Sequence, residues 1–252
     1  MPKSFLKLDS EALIGAVKQL RDRIDARFPQ ASLTNIANTV VEASERASAR
    51  AAEIRRPNPY VRASVFVLLG GIVAGLIYVA GHLDYGSAEK EVKGASAFVQ
   101  FLDAALETVA LLGGGAIFLV TLESRLKRAR LIKAVHELRS LAHIIDMHQL
   151  TKSPDHYLKE THRTKASIDV KYDLYQVRRY LDYCSELLAM MSKVAMLYLE
   201  DQSDPVVLDA VDQIEDLTTS LSRKIWQKVS ILNDIAADRR GDVVETEPKK
   251  TA

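Results

Sequence analysis

Apolar positions open the chain at helical spacing. Leu13, Val17, Leu20, Ile24 and Phe28 fall on one face behind Asp9, whose carboxylate suits a helix N-cap, and Pro29 ends the run. Ser32 opens a second helical stretch through Ile54. Its face of Ile36, Val40, Ala43, Ala47 and Ala51 is small enough for close packing but buries little by itself. Pro57, Asn58 and Pro59 break that stretch.

Periodicity then gives way to continuous apolarity. Ala63 to Gly81 reads ASVFVLLGGIVAGLIYVAG without a charge, and as a helix it rises about 28 Å at ~1.5 Å per residue, the thickness of a bilayer core. After a polar loop over 82–97, Phe98 to Leu122 forms a second apolar run, long enough to span with tilt although Asp103 and Glu107 interrupt it. Helical spacing resumes with Leu131, Val135, Leu138, Ala142 and Ile145, so the second span is expected to continue as a stalk until Thr151 to Pro154. Val170, Leu174, Val177, Leu181, Cys184, Leu188, Met191, Ala195 and Tyr198 then alternate steps of four and three, the seam of a coiled coil. Asp204 and Pro205 open a last helix that returns against it as an antiparallel hairpin.

No strand-like alternation occurs. The expected fold is an all-α membrane protein: a two-transmembrane helical hairpin bearing a cytoplasmic helical and coiled-coil bundle. Residues 1–60 supply N-terminal cytoplasmic helices, 61–122 the hairpin, 123–240 the stalk and helical hairpin, and 241–252 a flexible tail.

Charge fixes an orientation. Arg46, Arg50, Arg55, Arg56 and Arg62 precede the first span and Arg125, Lys127, Arg128, Arg130, Lys133 and Arg139 follow the second, while the loop between holds only Lys90 and Lys93. Both termini are therefore expected in the cytoplasm. The absence of a continuous apolar core near the start speaks against a secretory leader, and a bacterial inner membrane suits the whole pattern. A formal charge of +1 from 34 basic and 33 acidic residues lacks the field of a nucleic-acid binder. The single cysteine, Cys184, excludes an intramolecular disulfide and suits a reduced, buried thiol.

Candidate chemistry is sparse. Asp103 and Glu107 share a helix face, where acids in an oligomer's inner ring would draw cations to a pore mouth; ordinary interfacial charges account for them equally simply. Gly71 and Gly75 form a GxxxG pair and Gly113, Gly114 and Gly115 lie mid-way along the second run, small residues that let helices approach closely. Arg125, Lys127, Arg128 and Arg130 are placed to meet anionic headgroups. His136 and His143 are about 10 Å apart along a helix and Ser140 stands where HExxH needs histidine, so His143 and Asp146 are only weak metal candidates. The tyrosines Tyr172, Tyr175, Tyr180, Tyr183 and Tyr198 read as packing. Arg223, Lys224, Trp226 and Lys228 form a patch that could take an acidic ligand or touch the membrane.

No phosphate loop, nucleophile elbow or Cys/His pair is present, and no catalysis and no cofactor are expected. The leading expectation is a membrane-anchored, non-enzymatic interaction or scaffold protein that binds lipid, oligomerises with itself through span glycines and coiled coil, and offers its cytoplasmic helices to a protein partner. The alternative is a channel or pore-forming effector gated by those helices. Two spans, a short outer loop and a long cytoplasmic helical tail are similar to the layout of small pore-forming effectors of bacterial defence systems, a likeness of topology alone.

Overall fold

The computed structural model describes residues 8–55, 59–82, 91–158, 165, 171–199 and 204–246. The described residues form six α-helices, α1 (Ser10–Arg27), α2 (Ser32–Arg55), α3 (Pro59–His82), α4 (Glu91–Leu150), α5 (Leu174–Met196) and α6 (Pro205–Thr246), with a short 3-10 turn (Pro154–Tyr157) after α4, and no strand occurs among them. They fall into two compact units, one of residues 54–130 and the other drawing together the chain before and after it.

In the larger unit the local signals act as their chemistry requires. Asp9 caps α1 by accepting from the Glu11 and Ala12 amides at 3.0 and 3.3 Å, and Asp204 accepts from Val206 N at 3.0 Å ahead of Pro205. Asp173 and Gln176 form a reciprocal capping box on α5. Between α1 and α2 the chain turns within a few residues, Gln30 taking a φ of 62° and Thr34 Oγ1 donating to Phe28 O at 3.1 Å.

α5 is the central helix of this unit. The heptad positions Val177, Leu181, Cys184, Leu188, Met191, Ala195 and Tyr198 are buried, but so are Tyr180, Tyr183, Leu187 and Val194, so the covered face is far wider than a two-stranded seam. The cause is packing on several sides: α6 lies along one side and α1 along another. α5 and α6 run antiparallel, since Cys184 faces Lys228 while Lys193 lies beside Thr218 and Ser222. The seam expected to pair with another chain is thus occupied by the chain's own helices. Val170 lies outside the described residues, as does the connection 200–203.

Leu131, Ala134, Val135, Leu138, Leu141, Ala142 and Ile145 of α4 are also buried, so this stretch is a member of the bundle and not a free stalk. α1 and α2 belong to the same unit, not to a separate N-terminal one. Each fully buried leucine or isoleucine in this core contributes about 1.5–3 kcal/mol.

The unit of residues 54–130 inverts the pattern. On α3, Phe66 is 73% exposed and Ile77 67%, and on α4 Leu111, Ile117 and Phe118 are comparably open. Among the described residues, two helices are long and apolar enough to cross a membrane, and no part of either apolar window is buried. Near-continuous exposure of large apolar side chains runs along α4 to Leu126; from Leu131, which is 2% exposed, one face is buried and only Ile144, Met147 and Leu150 stay open among the large apolar residues.

Two boundaries differ from expectation. α4 begins at Glu91, so the latter part of the loop read over 82–97 is helical, because Gly94 is the sole weak helix former between Glu91 and Phe98. α6 runs on to Thr246 through the stretch read as tail, since no breaker precedes Pro248. The central loop, 83–90, and the last residues, 247–252, lie outside the described residues.

Candidate functional site

Asp103 and Glu107 sit on α4 one turn apart, as their spacing requires, and both are exposed. Neither has an ion-pair partner among the described residues. Gly71, Gly75, Gly113, Gly114 and Gly115 share one property: a Cβ added at any of them meets nothing within 4 Å. The close approach that these glycines allow is not used within the chain.

The basic cluster occupies the last exposed turns of α4 before its buried part. Arg125 and Arg130 are exposed, while Lys127 pairs with Glu123 at 2.7 Å. His143 is exposed and Asp146 accepts from Gln149 Nε2 at 2.7 Å. No group of three metal-ligating side chains assembles around them, or anywhere else among the described residues. The weak metal candidates therefore gain no third ligand from the fold.

The bundle contains three polar assemblies that its sequence pattern does not announce. At one, Arg50 of α2 donates to Glu137 of α4 at 2.7 Å and reaches Tyr198, enclosing a cavity of about 160 Å³ with Arg46 and Ser140. The cavity exists because α2 offers Ala43 where a larger side chain would fill the space. The hydrogen bond to Glu137, with that carboxylate's charge behind it, raises the Arg50 guanidinium's affinity for its proton against the opposing effect of burial.

At the second, Lys228 of α6 donates to both the backbone oxygen of Gln149 (2.9 Å) and its Oε1 (2.6 Å). This contact ties the end of α4 to α6. Burial lowers the lysine's pKa, and nearby Asp146 resists the shift.

The third is an aromatic box. Lys152 lies 5.2 Å from the Tyr172 ring centre and 5.1 Å from that of Tyr180, and Phe28 meets Tyr172, Tyr180 and Tyr183 edge-on at 5.4–6.2 Å. Tyr157 closes the box by donating to Tyr172 O at 2.7 Å while its own carbonyl accepts from Arg239 at 2.6 Å. Burial pushes the Tyr180 phenol upward and lowers Lys152. Cys184, fully covered, has its thiol pushed up to about 12 by the same cause, which makes it unreactive at neutral pH.

The basic-aromatic patch on α6 is divided by the fold. Lys228 turns inward to Gln149, whereas Arg223 and Trp226 line an open groove of about 510 Å³ between α5 and α6. Lys224 is exposed but does not line the groove. Sequence reading found the patch through its residue types but not Lys193 and Ser192, which α5 brings to the opposite wall. Only the antiparallel register unites them.

No family model, curated protein or solved structure matches the chain.

Proposed function

We propose that this is a membrane-anchored, non-enzymatic interaction protein, held in a bacterial inner membrane by α3 and the apolar part of α4 with both termini cytoplasmic. The observation that carries the reading is the contrast between the two units. The heptad leucines Leu181 and Leu188 of α5 are fully covered within the chain, while most of the described large apolar residues of α3 and of α4 as far as Leu126 are left open. Water cannot host so much contiguous apolar surface, and lipid or copies of the same helices can. Self-association is accordingly assigned to the glycine-bearing faces of the spans and not to the heptad seam. Arg125 and Arg130 then lie where anionic headgroups would meet them.

The test is Gly71→Ile with Gly114→Ile in the full chain in detergent, followed by cross-linking and sedimentation. A single chain accommodates both changes, because a Cβ at either position meets nothing. A shift toward monomer supports association through these faces, and an unchanged assembly overturns it.

A second reading, ion conduction by the assembly, is favoured by Asp103 and Glu107, exposed and without an ion-pair partner among the described residues, on an otherwise apolar stretch. A voltage-sensitive dye in cells expressing the intact chain tests it. Depolarisation abolished by Asp103→Asn with Glu107→Gln at equal abundance would put the acids on an ion path; depolarisation that survives would remove them from it.

A further inference from the structure

The groove between α5 and α6 has features of a built anion site. Its α6 wall carries Thr219, Ser222, Arg223 and Trp226, spaced three, four and seven apart and hence on one stripe, and its α5 wall carries Ser192 and Lys193. The small side chains at these positions, with Ala189 and Thr218 beside them, keep the two helices from closing over the space. No carboxylate lines the groove, although the chain has 33 acidic residues and α6 places Glu215 and Asp216 one turn before Thr219.

Two cations thus face an acid-free cavity. Arg223 has no ion-pair partner among the described residues, and Lys193 Nζ reaches nothing but the Ala189 carbonyl of its own helix at 3.4 Å. Between them stand the Ser192, Thr219 and Ser222 hydroxyls, which make no hydrogen bond among the described residues, whereas Thr218 Oγ1 donates to Glu215 O at 3.1 Å. At the end of the groove Trp226, the only tryptophan in the chain, is 62% exposed. Tryptophan is usually among the better covered residues, and here its indole face is left available beside the cations.

We infer that this groove binds a small phosphorylated compound carrying a planar ring, of nucleotide type. Lys193 and Arg223 hold the phosphate with help from Ser192, Ser222 and Thr219, and the ring stacks on Trp226. A volume of about 510 Å³ exceeds what free phosphate needs and lies within the range of about 300–1,000 Å³ typical of small-molecule sites. The chain's near-neutral charge argues for a free small molecule over a nucleic-acid strand, which requires an extended basic track. This inference does not depend on the membrane reading, because every residue involved belongs to the aqueous bundle.

Trp226 makes the test direct, since all tryptophan emission comes from the groove. The full chain in detergent is titrated with ATP and GTP, and separately with adenosine and with pyrophosphate. Saturable quenching by either nucleotide is expected, with adenosine and pyrophosphate each at least about 10-fold weaker, because each lacks one half of the recognition. Removal of charge-assisted hydrogen bonds by Lys193→Gln with Arg223→Gln should weaken the better nucleotide about 10- to 100-fold. Lys224→Gln, next in sequence but off the groove, should leave it unchanged. All three side chains are exposed, so circular dichroism should be unaltered. No saturable response to either nucleotide, adenosine binding as well as ATP, equal damage from Lys224→Gln, or an oligonucleotide binding more tightly than the mononucleotides would each overturn the assignment.

Discussion

Val73→Arg separates a lipid-facing helix from an oddly apolar surface in water. Val73 is 56% exposed near the middle of α3. If that exposure faced water, the substitution would cost within about 0.5 kcal/mol, as changes at open surface sites do. If it faces lipid, the arithmetic differs. The Val, Leu, Ile and Phe residues between Ala63 and Gly81 number ten, and at about −0.3 to −0.6 kcal/mol each they favour insertion by about 3–6 kcal/mol. One central arginine adds about 2.5–3.5 kcal/mol, and the lost valine a few tenths more, so a single change consumes most of the gain. Ile77→Arg in the same chain should reverse it. The assay is resistance of the membrane fraction to alkaline carbonate, with Met147→Arg as the control, since Met147 is equally open but belongs to the other unit, the helical bundle. Val73→Arg should lower the retained fraction, the double variant should lose most of it, and Met147→Arg should match the parent. A double variant retained like the parent, or a control lost as readily, would refute the lipid-facing assignment.

Further outcomes are expected of the bundle. Leu188→Ala, at a fully buried position of α5, should destabilise it by about 2–5 kcal/mol in thermal or urea unfolding, whereas Leu208→Ala, half exposed on α6, should cost well under 1 kcal/mol. Lys228→Met should cost about 1–3 kcal/mol, because it leaves the buried Gln149 Oε1 without its donor, while the Gln149 carbonyl keeps the Lys152 amide at 3.1 Å; hydrogen exchange should report the loss at the end of α4 first. Alkaline titration should also unfold the bundle. The fold holds the Cys184 thiol neutral up to about 12 against an ordinary 9.0, so that contribution is complete below pH 9 and is lost as pH climbs toward 12. The buried phenols of Tyr180 and Tyr198 act in the same direction above pH 10, while Lys152 and Lys228, depressed by burial, act oppositely. Cys184→Ala should therefore shift the alkaline midpoint upward; an unchanged midpoint would remove the thiol from the account.

The helices were legible because their signals are local. Asp9, Asp204 and Pro205 act on amides within three residues, and apolar spacing reports which face is buried without reference to the partner. What the spacing could not reveal is how many partners a face has. α5 obeys a heptad as faithfully as a dimerising helix, and only burial of Tyr180, Leu187 and Val194 outside the seam shows it to be surrounded. The same limit hid the polar assemblies. Lys152 sits in a connector and Phe28 at the end of α1, and nothing in either neighbourhood announces the box they share with Tyr172 and Tyr180. The groove was half legible: Arg223 and Trp226 are close in sequence, but Lys193 reaches them through the antiparallel register alone.

That distinction bears on how an assembly would form. A heptad seam associates in water because leaving it exposed is costly, and once α1 and α6 cover it within the chain that driving force is gone. In lipid the apolar side chains of α3 and α4 gain nothing from one another over acyl chains, so association there depends on close backbone approach and on polar groups. Those features are concentrated in the one unit: Gly71, Gly75 and Gly113 to Gly115 with open space around them, and Asp103 and Glu107 without ion-pair partners among the described residues. In isolation the glycines are a cost, each weakening a helix by about 1 kcal/mol relative to alanine. A second helix laid against them recovers that cost through packing that larger side chains would forbid. The bundle covers its core within one chain, and under the proposed membrane placement the glycines and acids of α3 and α4 are the features a neighbouring helix would use.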